Sequence, residues 1–173
     1  MPAPQDLFIS EQHPVSRRWA VIEDDGRVAW LYLTEPDTRM PAADCWLYNR
    51  VTTPPQFDSV RGQPPVVPLT HAGIGATLQP PAGESVHLRW SHDGESVAVF
   101  FDDELIGFIA HGQKCGFSKH IRVSGPLEAC WTQSFSRECF EESLHGFVTV
   151  HWDHETSEAL ESRLQPAQAV RAA

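Results

Sequence analysis

The sequence predicts an α+β fold: a single domain, mainly an antiparallel β-sheet of about five to seven strands, with one or two short helices against it. Three observations carry that expectation. Stretches rich in aromatic and β-branched residues recur along the chain. Acidic-glycine pairs, Asp25-Gly26 and Asp93-Gly94, stand between such stretches and supply the positive φ angles that tight hairpins need. One later segment, from Trp131 to Phe140, sets its bulky residues at helical spacing instead. At 173 residues, 41% of them hydrophobic, the chain can bury roughly two-thirds of its unfolded surface in one domain.

Residues 1–16 are polar and proline-bearing and read as a loose lead-in to a β-rich domain over 17–152. Trp19 to Ile22 and Val28 to Leu33 then form a hairpin about Asp24-Asp25-Gly26. Side chains alternate on a strand, so Trp30 and Tyr32 face away from Leu31 and Leu33. Cys45 to Val51 is a short aromatic strand. From 52 to 83 the composition changes, with Pro54, Pro55, Pro64, Pro65, Pro68, Pro80 and Pro81. Proline cannot donate to a ladder, so this insert holds no central strand, and it is too short for a second domain.

Ser85 to Ser91 returns to strand, with Val86, Leu88 and Trp90 on one face and His87 and Arg89 on the other. His92-Asp93-Gly94 turns the chain into Val97–Phe101, Asp102-Asp103 turns it again, and Leu105 to Ala110 returns. Continuous apolar character in this meander implies burial on both faces and a central place. The Trp-Ser-x-Asp-Gly run resembles a propeller blade edge, yet a propeller needs four or more blades of about forty residues, and no such copies exist. After Gly112 comes a loop with Lys114, Lys119 and Arg122. A helix over Trp131 to Phe140 and a strand over Phe147 to Trp152 follow. Residues 153–173 read as a short helix, Thr156 to Leu164, and a tail.

AVIEDDGRVAWLYL, DCWLYN, RWSHDGESVAVFFDDELIGFI and GFSKHI, in that order, resemble a small bacterial family known only as a domain of unknown function. The likeness covers roughly residues 17 to 143. It implies a single β-rich module and brings no catalytic residues with it.

Thirteen Lys and Arg against 23 Asp and Glu leave a net charge of −10. Such a surface repels phosphate backbones and anionic headgroups, which lowers the case for nucleic-acid or membrane-surface binding. Asp93, Glu95, Asp102, Asp103 and Glu104 would suit a basic partner, although a solvated face explains them equally simply. Cys45, Cys115, Cys130 and Cys139 lie far apart with no Cys-x-x-Cys pair, and read as small buried hydrophobes in a reducing cytoplasm. No stretch is apolar for long enough to span a bilayer as a helix.

Chemistry-bearing residues gather in two places. His145, His151, Asp153 and His154 are the densest imidazole group, but strand alternation turns His154 away from His151 and Asp153, so no metal is expected. Cys115 and His120 share a loop with Lys114 and Lys119, whose charges would lower a thiol pKa, yet no nucleophile signature surrounds them. The paired carboxylates Asp24-Asp25 and Asp102-Asp103 read as turn formers that stay hydrated. No catalytic residue and no cofactor is therefore assigned.

Trp30, Tyr32, Trp46 and Tyr48 remain. They could line a recognition surface or equally belong to the core. Because Trp30 and Tyr32 oppose Leu31 and Leu33, one of the two sets faces away from a one-sided core and needs a cover from a helix or a partner. The expectation is a non-enzymatic binding module that acts through protein–protein contact or self-association, with an acidic inhibitor- or immunity-like role as its specific form. The rivals are a small-molecule pocket beneath the proline-rich insert, or an enzyme using Cys115 and His120 or a His151-region metal.

Overall fold

The computed structural model describes residues 7–52, 62–68, 70–73, 75–79, 82–121 and 133–134. Two sheets, both almost wholly antiparallel, stand where one was expected. The first has the order β1 (Leu7–Gln12), β2 (Trp19–Asp24), β3 (Val28–Thr34), β4 (Pro41–Asn49). The second runs β5 (Val86–Trp90), β6 (Val97–Phe101), β7 (Glu104–Ile109), β8 (Phe117–Ser118), β9 (Gln133–Ser134), with only the last pair parallel. Nine strands thus exceed the expected five to seven. Among the described residues the only helical element is a 3-10 turn at Gly83–Ser85. The expected helices and the strand over Phe147 to Trp152 lie outside the described residues, except that Gln133–Ser134 is strand.

The two sheets share one core. Ala20, Ile22, Leu31, Leu33, Cys45 and Leu47 from the first sheet meet Val86, Leu88, Trp90, Val97, Val99 and Ile109 from the second. These are the alternate positions that period-2 patterning assigns to one face. The sheets are stitched along β4, where Asp44 N–H donates to the Lys114 carbonyl and Gly116 N–H donates to the Asp44 carbonyl. Gly107 of β7 lies so close to β4 that a Cβ there would stand 2.7 Å from Leu47 and 3.1 Å from the Cys45 sulfur. Only glycine permits that approach.

Leu7–Gln12 falls within the stretch read as a loose lead-in, yet forms the first sheet's outer strand, paired residue by residue with β2 from Leu7↔Asp24 to Gln12↔Trp19. Its apolar signal is slight, since only Leu7 and Ile9 pack against the core. Cross-strand pairing supplies the rest.

The proline-rich insert is the largest departure from expectation. Val66, Val67, Ala72 and Ala76 pack on Trp30, Trp46 and Val28, covering the outer face of β3 and β4. The insert makes no ladder, so its backbone groups need other partners. Asn49 supplies several. Its Nδ2 donates to the Val67 carbonyl at 2.8 Å, its Oδ1 accepts from Val67 N–H at 3.2 Å, and its backbone bonds Ala76 and Leu78 at 2.7 and 2.9 Å. Trp46 Nε1 donates to the same Asn49 Oδ1, and Trp30 Nε1 to the Pro65 carbonyl. Chain from the insert thus does the covering that a helix or partner was expected to do.

Asn49→Ala should cost about 2–3 kcal/mol, because both Val67 backbone groups and the Trp46 indole lose buried partners. Hydrogen exchange should speed up at Val67 and Ala76 well before it does at Ile22 or Val99. Uniform loss of protection across the chain would count against this division of roles.

Candidate functional site

The two acidic-glycine turns come first, because the chain's carboxylates converge there. Asp24 was expected to be hydrated at a turn tip. It is instead only 1% exposed. Its Oδ1 accepts from Gly26 N–H, while its Oδ2 accepts from the Tyr48 hydroxyl at 2.9 Å and from Arg50 at 2.8 Å. Asp25 caps the turn by accepting from Arg27 and Val28 N–H. Burial, and the Asp24 charge beside it, raise the Tyr48 hydroxyl far above its ordinary pKa, with Arg50 opposing. The group stays a neutral donor at any ordinary pH.

Tyr48 reaches Asp24 because the strand is irregular. The register slips between Ala29 and Trp30, so that Ala29 opposes Tyr48 but Trp30 opposes Trp46. One residue, Leu47, is thereby extra, and Tyr48 turns into the core beside Phe101. Trp30, Tyr32 and Trp46 share the outer face as alternation requires; Tyr48 does not.

The Trp-Ser-x-Asp-Gly run is a seat. Ser91 Oγ donates to Asp93 and accepts from Ser96 N–H, while Gly94 takes φ +71°. His13 fills the space above that glycine, where a Cβ would lie 2.2 Å from its Nδ1, and its ring lies 5.3 Å from that of Trp90. Arg18 Nε then donates to Glu95 at 2.9 Å. The motif fastens the β1–β2 connection onto the second sheet. A cleft of about 240 Å³ beside it is lined by Arg18, Glu35, Glu95, His111 and Lys114, but Arg18 is already taken by Glu95 and the Thr34 carbonyl.

Cys115 and His120 face different neighbours. Cys115 bridges to Asp44 of β4 and is disulfide-bonded, so it carries no thiolate to attack a substrate. Cys115 is buried, as expected, but not reduced; Cys45 is buried and free, as expected. The His120 carbonyl accepts from Gly73 N–H, and its ring lies under Gly75 of the insert. Among the described residues, Val66 and Val67 of that insert pack directly on Trp30 and Trp46. Among the described residues no group of three or more His, Cys, Asp or Glu could hold a metal ion. His145, His151, Asp153 and His154 lie outside them.

What remains open is the other half of the first sheet's outer face. A groove of about 440 Å³ runs over β1, β2 and β3, lined by Phe8, Val21, Glu23, Tyr32, Thr34, Arg39 and Pro41. Phe8 is 65% exposed and Met40, next to the rim, 67%. Arg39 lies flat over Trp19, 3.7 Å from its ring centre. Tyr32 pairs across the ladders with Val21 on one side and Asp44 on the other. Burial and the charges of Glu23, Asp44 and Asp25 push its hydroxyl up to about 12. Burial alone holds the Asp44 carboxyl up at about 6. Sequence reasoning identified Tyr32 but missed Phe8, Val21, Glu23 and Asp44, since only strand register brings them together.

Comparison with protein-family models, with curated proteins and with solved structures found no match. Among the described residues no helix is long and apolar enough to cross a membrane.

Asp44 binds its proton more tightly folded than unfolded, so it lowers stability as pH rises from about 4 through 6. Asp44→Asn removes that loss. It should raise Tm by a few degrees at pH 8 and barely at pH 4, and NMR titration of the parent should place the Asp44 midpoint near 6. A midpoint near 4 would dismiss the argument.

Proposed function

We propose that this chain is a non-enzymatic binding module that acts through protein–protein contact, and that the open groove over β1, β2 and β3 is its contact surface. The observation that carries this reading is the asymmetry of one sheet face. Among the described residues the proline-rich segment covers Trp30 and Trp46, whereas beside them Val21 and Tyr32 stay only half-buried and Phe8 is exposed. An exposed Phe on an outer strand incurs a hydration cost that burial against a partner would recover, about 2 kcal/mol for a full side chain.

The enzymatic alternative has less to draw on. The Cys115 sulfur is in a disulfide, and the carboxylates of Asp24, Asp25 and Asp93 are tied into turns. A cytoplasmic address, expected from composition, is opposed by that same disulfide, because such bonds persist in oxidising compartments. The order of the E-D-D-G, W-S-x-D-G and G-F-S stretches supports grouping the chain with the uncharacterised bacterial family that it resembles. An inhibitor- or immunity-like role is the form that the net charge of −10 favours.

A photo-crosslinking residue in place of Phe8 tests the surface directly. In cells it should capture one discrete protein partner or a second copy of this chain, whereas the same residue at Asp103, exposed in the β6–β7 turn, should capture none. Equal capture from both positions, or from neither, would refute the assignment.

A further inference from the structure

We infer that the occupant of this groove is an extended basic segment of a partner protein, with a lysine or arginine side chain lying along Val21 and Tyr32 and its charge between Glu23 and Asp44. The inference rests on the docking role just proposed and adds the chemistry of what docks.

The geometry points that way through three features. The floor is apolar and aromatic, Val21 and Tyr32 being direct cross-strand partners. Such a floor accepts the methylene stem of a long cationic side chain. Ser10, the β1 residue opposite Val21, is small and exposed, so the row Ser10, Val21, Tyr32, Asp44 is open at its β1 end. A side chain laid along that row meets Glu23 on the same face and Asp44 at the row's far end.

Second, the carboxylates lack partners. Among the described residues Glu23 and Asp44 form no ion pair, and their side chains make no hydrogen bond. Asp44 is half-buried, which holds its proton on at a pH where a hydrated carboxyl would have lost it. A cation brought beside it would offset the unfavourable charge that burial now imposes. The Tyr32 hydroxyl sits in the field of the same groups and Asp25, so the potential at the groove floor is negative.

Third, the groove already displays this kind of recognition. Its one lining cation, Arg39, is laid on the Trp19 ring and pairs with neither carboxylate. A guanidinium thus stacks on an aromatic of this face, while the acidic positions further along the same strand, at Glu23, and two strands across, at Asp44, carry no paired cation among the described residues. A neutral or acidic occupant would bury Asp44 more deeply with nothing to compensate it, and the net charge of −10 disfavours an acidic one at long range.

The test uses the full chain and a labelled peptide, acetyl-Arg-Val-Arg-Val-Arg-amide, followed by fluorescence anisotropy and by amide chemical shifts. Shifts should concentrate on Val21, Glu23, Tyr32 and Asp44. Glu23→Lys should weaken binding by about tenfold or more, whereas Asp103→Lys, the same charge change in an exposed turn, should alter it by less than about twofold. Glu23→Gln, which leaves an exposed strand position uncharged, should fall between them and guards against a folding defect. Equal weakening by both lysine variants would show general charge attraction only and overturn the proposal. So would equal affinity for the corresponding Glu-Val peptide, or no binding at all. If the peptide fails while the crosslinker at position 8 still captures a protein, the docking surface stands and its basic occupant falls.

Discussion

The molecule depends on the cover over β3 and β4. β3 is buried on both faces: Leu31 and Leu33 serve the core between the sheets, and Trp30 looks outward yet is only 5% exposed. A strand of that kind needs a second layer. Here the layer is chain that cannot form a strand or a helix of its own, because its prolines lack N–H groups. Its remaining backbone groups must still be satisfied where they are buried. Asn49 does this with both ends of its amide and both groups of its backbone. It works like one rung of a ladder where no partner strand exists.

A second constraint lies in the turns. Acidic-glycine turns usually sit at the surface and only reverse the chain. In this protein each also fastens something. The Asp24 turn carries a carboxylate inward to Tyr48 and Arg50, and the Arg50–Asp24 pair is almost fully buried, at 3% and 0% side-chain exposure. A buried pair adds little net stability, but removing one member strands the other, at a cost of about 3–5 kcal/mol. The pair therefore selects one arrangement of β2 against β4, in which the bulge at Leu47 turns Tyr48 inward. The Asp93 turn acts at the other end, where Gly94 makes room for His13 and Glu95 holds Arg18.

Much of this was legible in the residues. Both hairpins, the opposed faces of Trp30 and Leu31, the two-sided burial of Val97–Phe101 and the absence of a propeller followed from period-2 alternation and turn chemistry. The division into two sheets was not, because alternation states which residues share a face and not which strands share a sheet. β1 was missed because only two of its side chains reach the core. The bulge at Leu47 leaves no compositional mark, so the residues alone leave open whether Tyr48 faces outward with Trp46 or, as it does, the core. The cover was missed for a related reason: proline content excludes a strand but says nothing about docking, and Val66-Val67 is too short to announce it. The candidate groove was hardest to foresee. Phe8, Val21, Tyr32 and Pro41 come from four strands and meet only through pairing.

The same physics explains why half of that outer face is open. The insert covers the strands nearest β4 because Asn49 and Trp46, which hold it, stand at that strand's end. On β1 the amide of Gln12 donates instead to the Arg17 carbonyl, and the other outward side chains of β1 and β2 (Phe8, Ser10, Val21, Glu23) mix apolar and acidic character. Chain that brought its carbonyls to Glu23 and Asp44 would set acceptors facing acceptors, which is unfavourable in a half-buried site. Among the described residues the cover accordingly packs on Val28, Trp30 and Trp46, short of the carboxylates. An occupant that brings donors and positive charge faces no such opposition, so the boundary of the internal cover and the chemistry of the open groove arise from one cause.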